Sequence, residues 1–129
     1  MILLDTHALV WAVGESKRLS RAASSAILQA QKEDGVAIAA ITLWELAMLV
    51  SRGRIQAYGT VEASVRLLIE GVVIKQLNPE IAALAVELPE EYSSDPADRL
   101  IGATAIIEGL PLVTRDQKIR ASSRLKTIW

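Results

Sequence analysis

Short, nearly all-apolar runs alternate along this chain with stretches whose apolar residues recur at helical spacing. MILLD opens with a strand candidate, and THALVWAV then carries Ala8, Trp11 and Ala12 on one helical face. Ser20 is placed to cap a helix running to about Gln31 on Ala22, Ala23, Ala26, Ile27 and Ala30, and EDG at 33–35 ends it. VAIAA at 36–40 reads as a buried strand, after which Thr42 starts a helix over LWELAMLVSR that stops at Gly53. TVEASVRLLIEG at 60–71 predicts a helix closed by Gly71, and VVIKQL a third strand. Asn78-Pro79 and Asp95-Pro96 each place a cap before a helix-starting proline, for EIAALAVEL and ADRLIGATAIIEG, with LPEEYSSDP as the longest loop between them. PLVT at 111–114, a short helix from Asp116 to about Ser122, and a closing strand KTIW complete the pattern.

Strands that are apolar throughout, instead of every second residue, must be covered on both faces, which implies a parallel sheet between two layers of helices. At 129 residues without a repeat, linker or low-complexity segment, one domain spanning 1–129 is expected. The longest apolar stretch, at 35–44, is interrupted by Gly and Thr and falls far short of the roughly 18 residues of a membrane span. The opening residues lack the basic segment and cleavage site of a secretory signal, and there is no cysteine; both favour a soluble, cytoplasmic protein.

Fourteen Lys and Arg against fifteen Asp and Glu leave a net charge of −1, so bulk charge does not mark a nucleic-acid binder. Placement is more telling. Asp5 ends the first strand, Glu45 lies in the first turn of the helix after the second, Asp98 opens the helix after the long loop, and Asp116 follows the fourth strand. In a parallel sheet all four face the rim beyond the carboxyl ends of the strands, where such folds bind ligands. Each alone has an ordinary role: Thr42-Leu-Trp-Glu45 is a capping box, and Asp95 and Asp98 suit a helix start. Together they repel, at roughly 3 kcal/mol for a pair ~5 Å apart in an effective dielectric near 20, so such a cluster must hold protons or bind cations. With neither Cys nor a second His, an oxygen-only set selects a hard cation, Mg²⁺ or Mn²⁺, and phosphate-ester hydrolysis is the chemistry that follows.

LLDTHALVW, TLWELAMLVSRGRI, DPADRLIGATAIIEGLPLVTRD and the closing TIW resemble the PIN-domain ribonucleases, and within them the VapC-type toxins of bacterial toxin-antitoxin pairs. The resemblance spans nearly the whole chain. It implies a PIN-like three-layer α/β/α sandwich and a metal-dependent endoribonuclease acting on RNA. It also implies a homodimer, held inactive by a cognate antitoxin. By motif the acidic set is Asp5, Glu45, Asp98 and Asp116, with Asp95 as the cap of DPAD, and products with 5′-phosphate and 3′-hydroxyl ends are expected. Ser93 stands where many relatives carry His, and AAIT where they often show a serine at the second strand's exit.

His7 and Thr114 are expected behind the carboxylates, His7 with a ring nitrogen bonded to one of them. Arg52, Arg54, Arg99 and Arg115 are expected to hold RNA, with Lys118 and Arg120 near Asp116, and Lys17, Arg18 and Arg21 form a second basic patch. Aromatics at 4% supply few stacking surfaces for bases, so recognition of the backbone or of shape is favoured. Trp11, Trp44 and Met48 read mainly as core, with some apolar helix surface left for a dimer or antitoxin interface.

Two competing functions share the same rim. A non-catalytic module that binds RNA or a partner would carry the carboxylates' repulsion without a metal to offset it. Another acidic-site phosphohydrolase of the haloacid-dehalogenase type would need an aspartate where His7 stands.

Overall fold

In the computed structural model, which describes residues 1–129, five short strands form one sheet: β1 (Ile2–Leu4), β2 (Val36–Ala39), β3 (Val73–Lys75), β4 (Leu112–Val113) and β5 (Thr127–Ile128). Their order is β3-β2-β1-β4-β5, and every pair is parallel. The first strand is therefore central. The chain runs outward from it to one side and then returns to build the other, which makes the gap between the carboxyl ends of β1 and β4 the switch point of the sheet.

The inner strands β1, β2 and β4 are buried on both faces, as their composition requires, whereas the edge strands β3 and β5 are only partly covered. Ile2, Leu4, Val36, Ile38 and Val113 pack with Ala8 and Leu9 of helix α1 (Thr6–Gly14), Ala23, Ile27 and Ala30 of α2 (Arg21–Lys32) and Leu46 of α3 (Ala40–Ser51). The alternate residues Leu3, Ala37, Ala39 and Leu112 pack on the opposite face with Leu88, Tyr92, Ile101, Ala105 and Ile119. Those last three belong to α6 (Pro96–Glu108) and α7 (Gln117–Arg120). Helix α4 (Val61–Leu68) lies against α3, and α5 (Pro79–Glu87) packs Ile81 and Ala85 onto Ala103 of α6. No helix is long and apolar enough to cross a membrane.

Side chains cap the helices largely as the sequence predicts. Ser20, Thr60, Asn78 and Asp95 accept from backbone amides at the starts of α2, α4, α5 and α6, and Pro79 and Pro96 follow the last two caps. One helix start differs. Helix α3 leaves β2 without a loop and without a side-chain cap, beginning at Ala40 instead of Thr42. Thr42 is then a helical residue whose fully buried hydroxyl lies 3.1 Å from that of Thr6, so no capping box forms with Glu45.

Candidate active site

A cleft of about 680 Å³ opens beyond the carboxyl ends of β1 and β4, lined by Asp5, Glu45, Asp95, Asp98 and Asp116. The four residues picked out from the sequence thus meet, and Asp95, read as a cap alone, is a cap that also lines the cleft. Each carboxylate is anchored by one oxygen. Asp5 Oδ1 accepts from Ala8 N at 2.8 Å at the head of α1, and Asp116 Oδ1 from Lys118 N at 2.8 Å at the head of α7. Glu45 Oε1 accepts from the Thr6 hydroxyl at 2.5 Å, and Asp98 Oδ2 from the Ser93 hydroxyl at 3.0 Å. Glu45 Oε2, Asp98 Oδ1 and Asp116 Oδ2 have no donor within the protein.

Electrostatics records the crowding. Burial pushes Asp98 up to about 6 and the charges of Asp95, Asp116 and Glu45 push the same way, against the lowering effect of the Ser93 hydroxyl. Asp5 is raised, first by burial and last by Asp116, while the Thr114 hydroxyl and His7 oppose the shift. Glu45 is raised by burial and by Asp95 and Asp5, with Thr6 opposing. Since the Asp98 carboxyl holds its proton more tightly folded than unfolded, the stability it contributes is present below 3.8 and lost as pH rises through about 6. Without divalent ions the melting temperature is expected to fall between pH 4 and 7, and an Asp98→Asn variant to flatten that fall. Thermal melts in chelator across this window, with the same slope in parent and variant, would contradict this.

The donor set fits a hard divalent cation, being all oxygen, charge-rich and partly unanchored. No three acidic or histidine side chains form a closed set of ligands. Mg²⁺ does not require one, since it is commonly held through one or two carboxylates with water completing its octahedron.

The surrounding residues depart from expectation in several places. Buried Thr114 accepts from Asp116 N at 3.1 Å, and its hydroxyl lies near enough to Asp5 to favour the ionised carboxylate. His7 lines the cleft but makes no carboxylate bond; its exposed ring leans on Trp11 with centroids 5.8 Å apart. Arg99, expected at the substrate, does not line the cleft. Its guanidinium donates to the carbonyls of Ala85 (2.8 Å), Val86, Leu88, Pro89 and Ser93 (2.7 Å), closing the end of α5 and the loop after it. Arg52 and Arg54 line a smaller depression that shares Thr6, His7 and Glu45 with the cleft, together with Met48 and Leu49. Arg115 and Arg120 line the cleft itself.

Two tryptophans separate in the fold. Trp11 is buried at the cleft wall, whereas Trp44, read as core, is 58% exposed beside Leu77. The C-terminal Trp129, to which the sequence assigns no role, packs on Trp11 with centroids 5.9 Å apart. Tyr92 is a second residue that sequence reasoning misses: its buried hydroxyl lacks a hydrogen-bond partner and occupies the space where a Cβ on Gly102 would stand. Burial raises its pKa, and the charges of Asp98, Asp116 and Asp5 push the same way; the only sequence signal is a glycine inside a helix.

Comparison with known proteins bears on the family and the fold. Residues 2–125 match the family profile of the PIN domain. Ribonuclease VapC22 of Mycobacterium tuberculosis is 45% identical over 130 residues, covering 99% of this chain and 98% of that protein. Among solved structures, VapBC2 from Rickettsia felis bound to a DNA fragment from its promoter superposes with a TM-score of 0.75 at 22% identity, covering 98% of this chain and 97% of that one. A toxin-antitoxin complex from Klebsiella pneumoniae gives 0.69 at 24%, covering 97% and 95%. At those identities the two structures speak for the fold.

Proposed function

The chain belongs to the PIN-domain family, and from that premise we propose that its acidic cleft hydrolyses RNA phosphodiester bonds with Mg²⁺ or Mn²⁺, as the toxin of a toxin-antitoxin pair. The observation that carries this reading is the convergence of Asp5, Glu45, Asp98 and Asp116, drawn from four separate segments, on one cleft. Three of them have pKa values raised by burial and by one another, which a bound cation would relieve.

Asp5, Asp98 and Asp116 are the carboxylates that would hold the ion, one or two of them directly and the rest through its waters, with Ser93 and Thr114 orienting Asp98 and Asp116. Bound there, the cation supplies charge neutralisation at a phosphodiester oxygen and acidifies a water. Glu45, held through Oε1 by Thr6, presents Oε2 to the cleft, and its raised pKa suits it to take the proton of the attacking water. As the water oxygen bonds to phosphorus, the P–O bond to the 3′ oxygen breaks in line and that oxygen takes a proton from solvent, leaving 5′-phosphate and 3′-hydroxyl ends. Arg115, with Arg52 and Arg54 from the neighbouring depression, meets the RNA backbone.

An antitoxin is the proposed protein partner. A homodimer is supported by the apolar surface that Trp44, Leu77, Ile41 and Leu100 form beside the edge strand β3. Action on RNA under the control of an antitoxin implies the cytoplasm as its place of work.

Cleavage of a single-stranded oligoribonucleotide is expected in Mn²⁺ or Mg²⁺, to stop in EDTA and to return when excess cation is added. RNA ends mapped after brief expression should carry 5′-phosphates. Cleavage that persists undiminished in EDTA would refute the metal-dependent mechanism.

A further inference from the structure

We propose that Arg18 and Arg115, seated on Trp11, form a phosphate-binding wall of the cleft that takes the backbone of single-stranded RNA beside the scissile linkage. This rests on the ribonuclease reading above and adds a subsite to it.

The Arg18 guanidinium carbon lies 4.6 Å from the centre of the Trp11 ring, and that of Arg115 lies 6.0 Å from it. His7 and Trp129 lean on the same indole, and all five residues line the cleft that holds Asp5, Asp98 and Asp116. Two cations beside so many carboxylates would ordinarily pair with them. Here neither does: Arg18 reaches only Glu15, at 3.7 Å on the exposed surface, and Arg115 takes part in none of the chain's four ion pairs.

The contrast with Arg99, whose donors are saturated by backbone carbonyls, is direct. Cation–π attraction to the indole holds a guanidinium without using its N–H donors, closely for Arg18 and at the edge of the range for Arg115, so the donors stay available to another acceptor. Each guanidinium matches a phosphate in the two-pronged geometry that makes such pairings strong. Because the indole already restrains the side chains, less rotamer freedom is lost when RNA arrives.

The ligand chemistry follows from what is covered. Trp11 is only 7% exposed, so its ring offers no platform for a nucleobase. What reaches the cleft is charge, and the site selects a phosphodiester without reading its base. Trp11 is on this account a positioning residue for two RNA-binding arginines.

The test uses the full chain carrying Asp98→Asn, so that RNA can be bound without being cut, and follows a labelled oligoribonucleotide by fluorescence anisotropy across a salt series. Adding Arg18→Ala and Arg115→Ala is expected to weaken binding by about tenfold or more. The slope of log affinity against log salt should become shallower by about 0.7 for each phosphate that is no longer neutralised. With Asp98 intact, the same two changes should raise KM by more than they lower kcat. Trp11→Leu should shift KM in the same direction, and Trp11→Phe should restore it. Arg18→Lys, which keeps the charge without the planar fork, should recover only part of the loss.

Parent affinity and parent salt slope in a folded double-alanine variant would overturn the subsite, as would a change confined to Mn²⁺ affinity, the signature of arginines that merely balance the carboxylates. If the parent chain itself fails to cut RNA in Mn²⁺, the ribonuclease reading falls and the subsite with it. If the parent cuts and the arginine variants bind normally, the subsite alone falls.

Discussion

Replacing Asp98 by Asn is expected to reduce RNA cleavage by about 10²- to 10³-fold or more, the scale reached when one group that stabilises transition-state charge is removed. The same variant should melt at an equal or higher temperature at pH 7 without divalent ions. Both results come from one cause. The Asp98 charge is unfavourable where it stands, since burial, Asp95, Asp116 and Glu45 all oppose its ionisation. An amide of the same shape keeps the van der Waals packing and can still accept from Ser93. It supplies neither the negative charge nor the anionic oxygen that a cation requires. Single-turnover cleavage in Mn²⁺ measures the first effect and a thermal melt in chelator the second. A variant cutting within about threefold of the parent would remove Asp98 from the mechanism.

Truncating Arg99 should cost stability instead of chemistry. Its guanidinium satisfies carbonyls from Ala85 to Ser93, including the last carbonyls of α5, which no intrahelical donor can reach. Arg99→Ala leaves several partly buried acceptors unpaired, at ~1–3 kcal/mol for each that water cannot reach. A loss of about 3 kcal/mol is expected, lowering the melting temperature by roughly 10 °C for a domain of this size. Arg99→Lys should not rescue it, because an ammonium cannot span so many acceptors at once. Urea denaturation with the midpoint unmoved in Arg99→Ala would show the carbonyls to be adequately solvated. Cleavage by the surviving folded fraction should fall less than in Asp98→Asn, since Arg99 touches Asp98 only through the loop that carries Ser93.

How much of this is legible in the sequence divides by range. Caps at Ser20, Asn78 and Asp95 are written in adjacent residues and can be read directly. Strands apolar on both faces announce a parallel sheet, and the rim rule then brings Asp5 and Asp116 together across more than a hundred residues. What escapes depends on partners that no local pattern names. Glu45 answers to Thr6, on another helix, so the capping box inferred from Thr42 misplaces the start of α3. Arg99 follows Asp98 in sequence, yet helical geometry turns neighbouring side chains about 100° apart, and it faces α5 instead of the cleft. Trp11 and Trp44 are chemically alike and both helical; only the packing decides that one supports the cleft while the other stands in solvent.

Asp5 and Asp116 each begin a helix with one carboxylate oxygen and also line the cleft. A screen for cells that survive expression of this protein would therefore recover two kinds of lesion at one codon. Asparagine, which caps as well as aspartate does, should yield abundant folded and silent protein. Valine or alanine should yield protein that is silent partly because it is degraded. Counting survivors alone would merge the two, and immunoblotting them would set apart the loss of a reaction from the loss of a molecule.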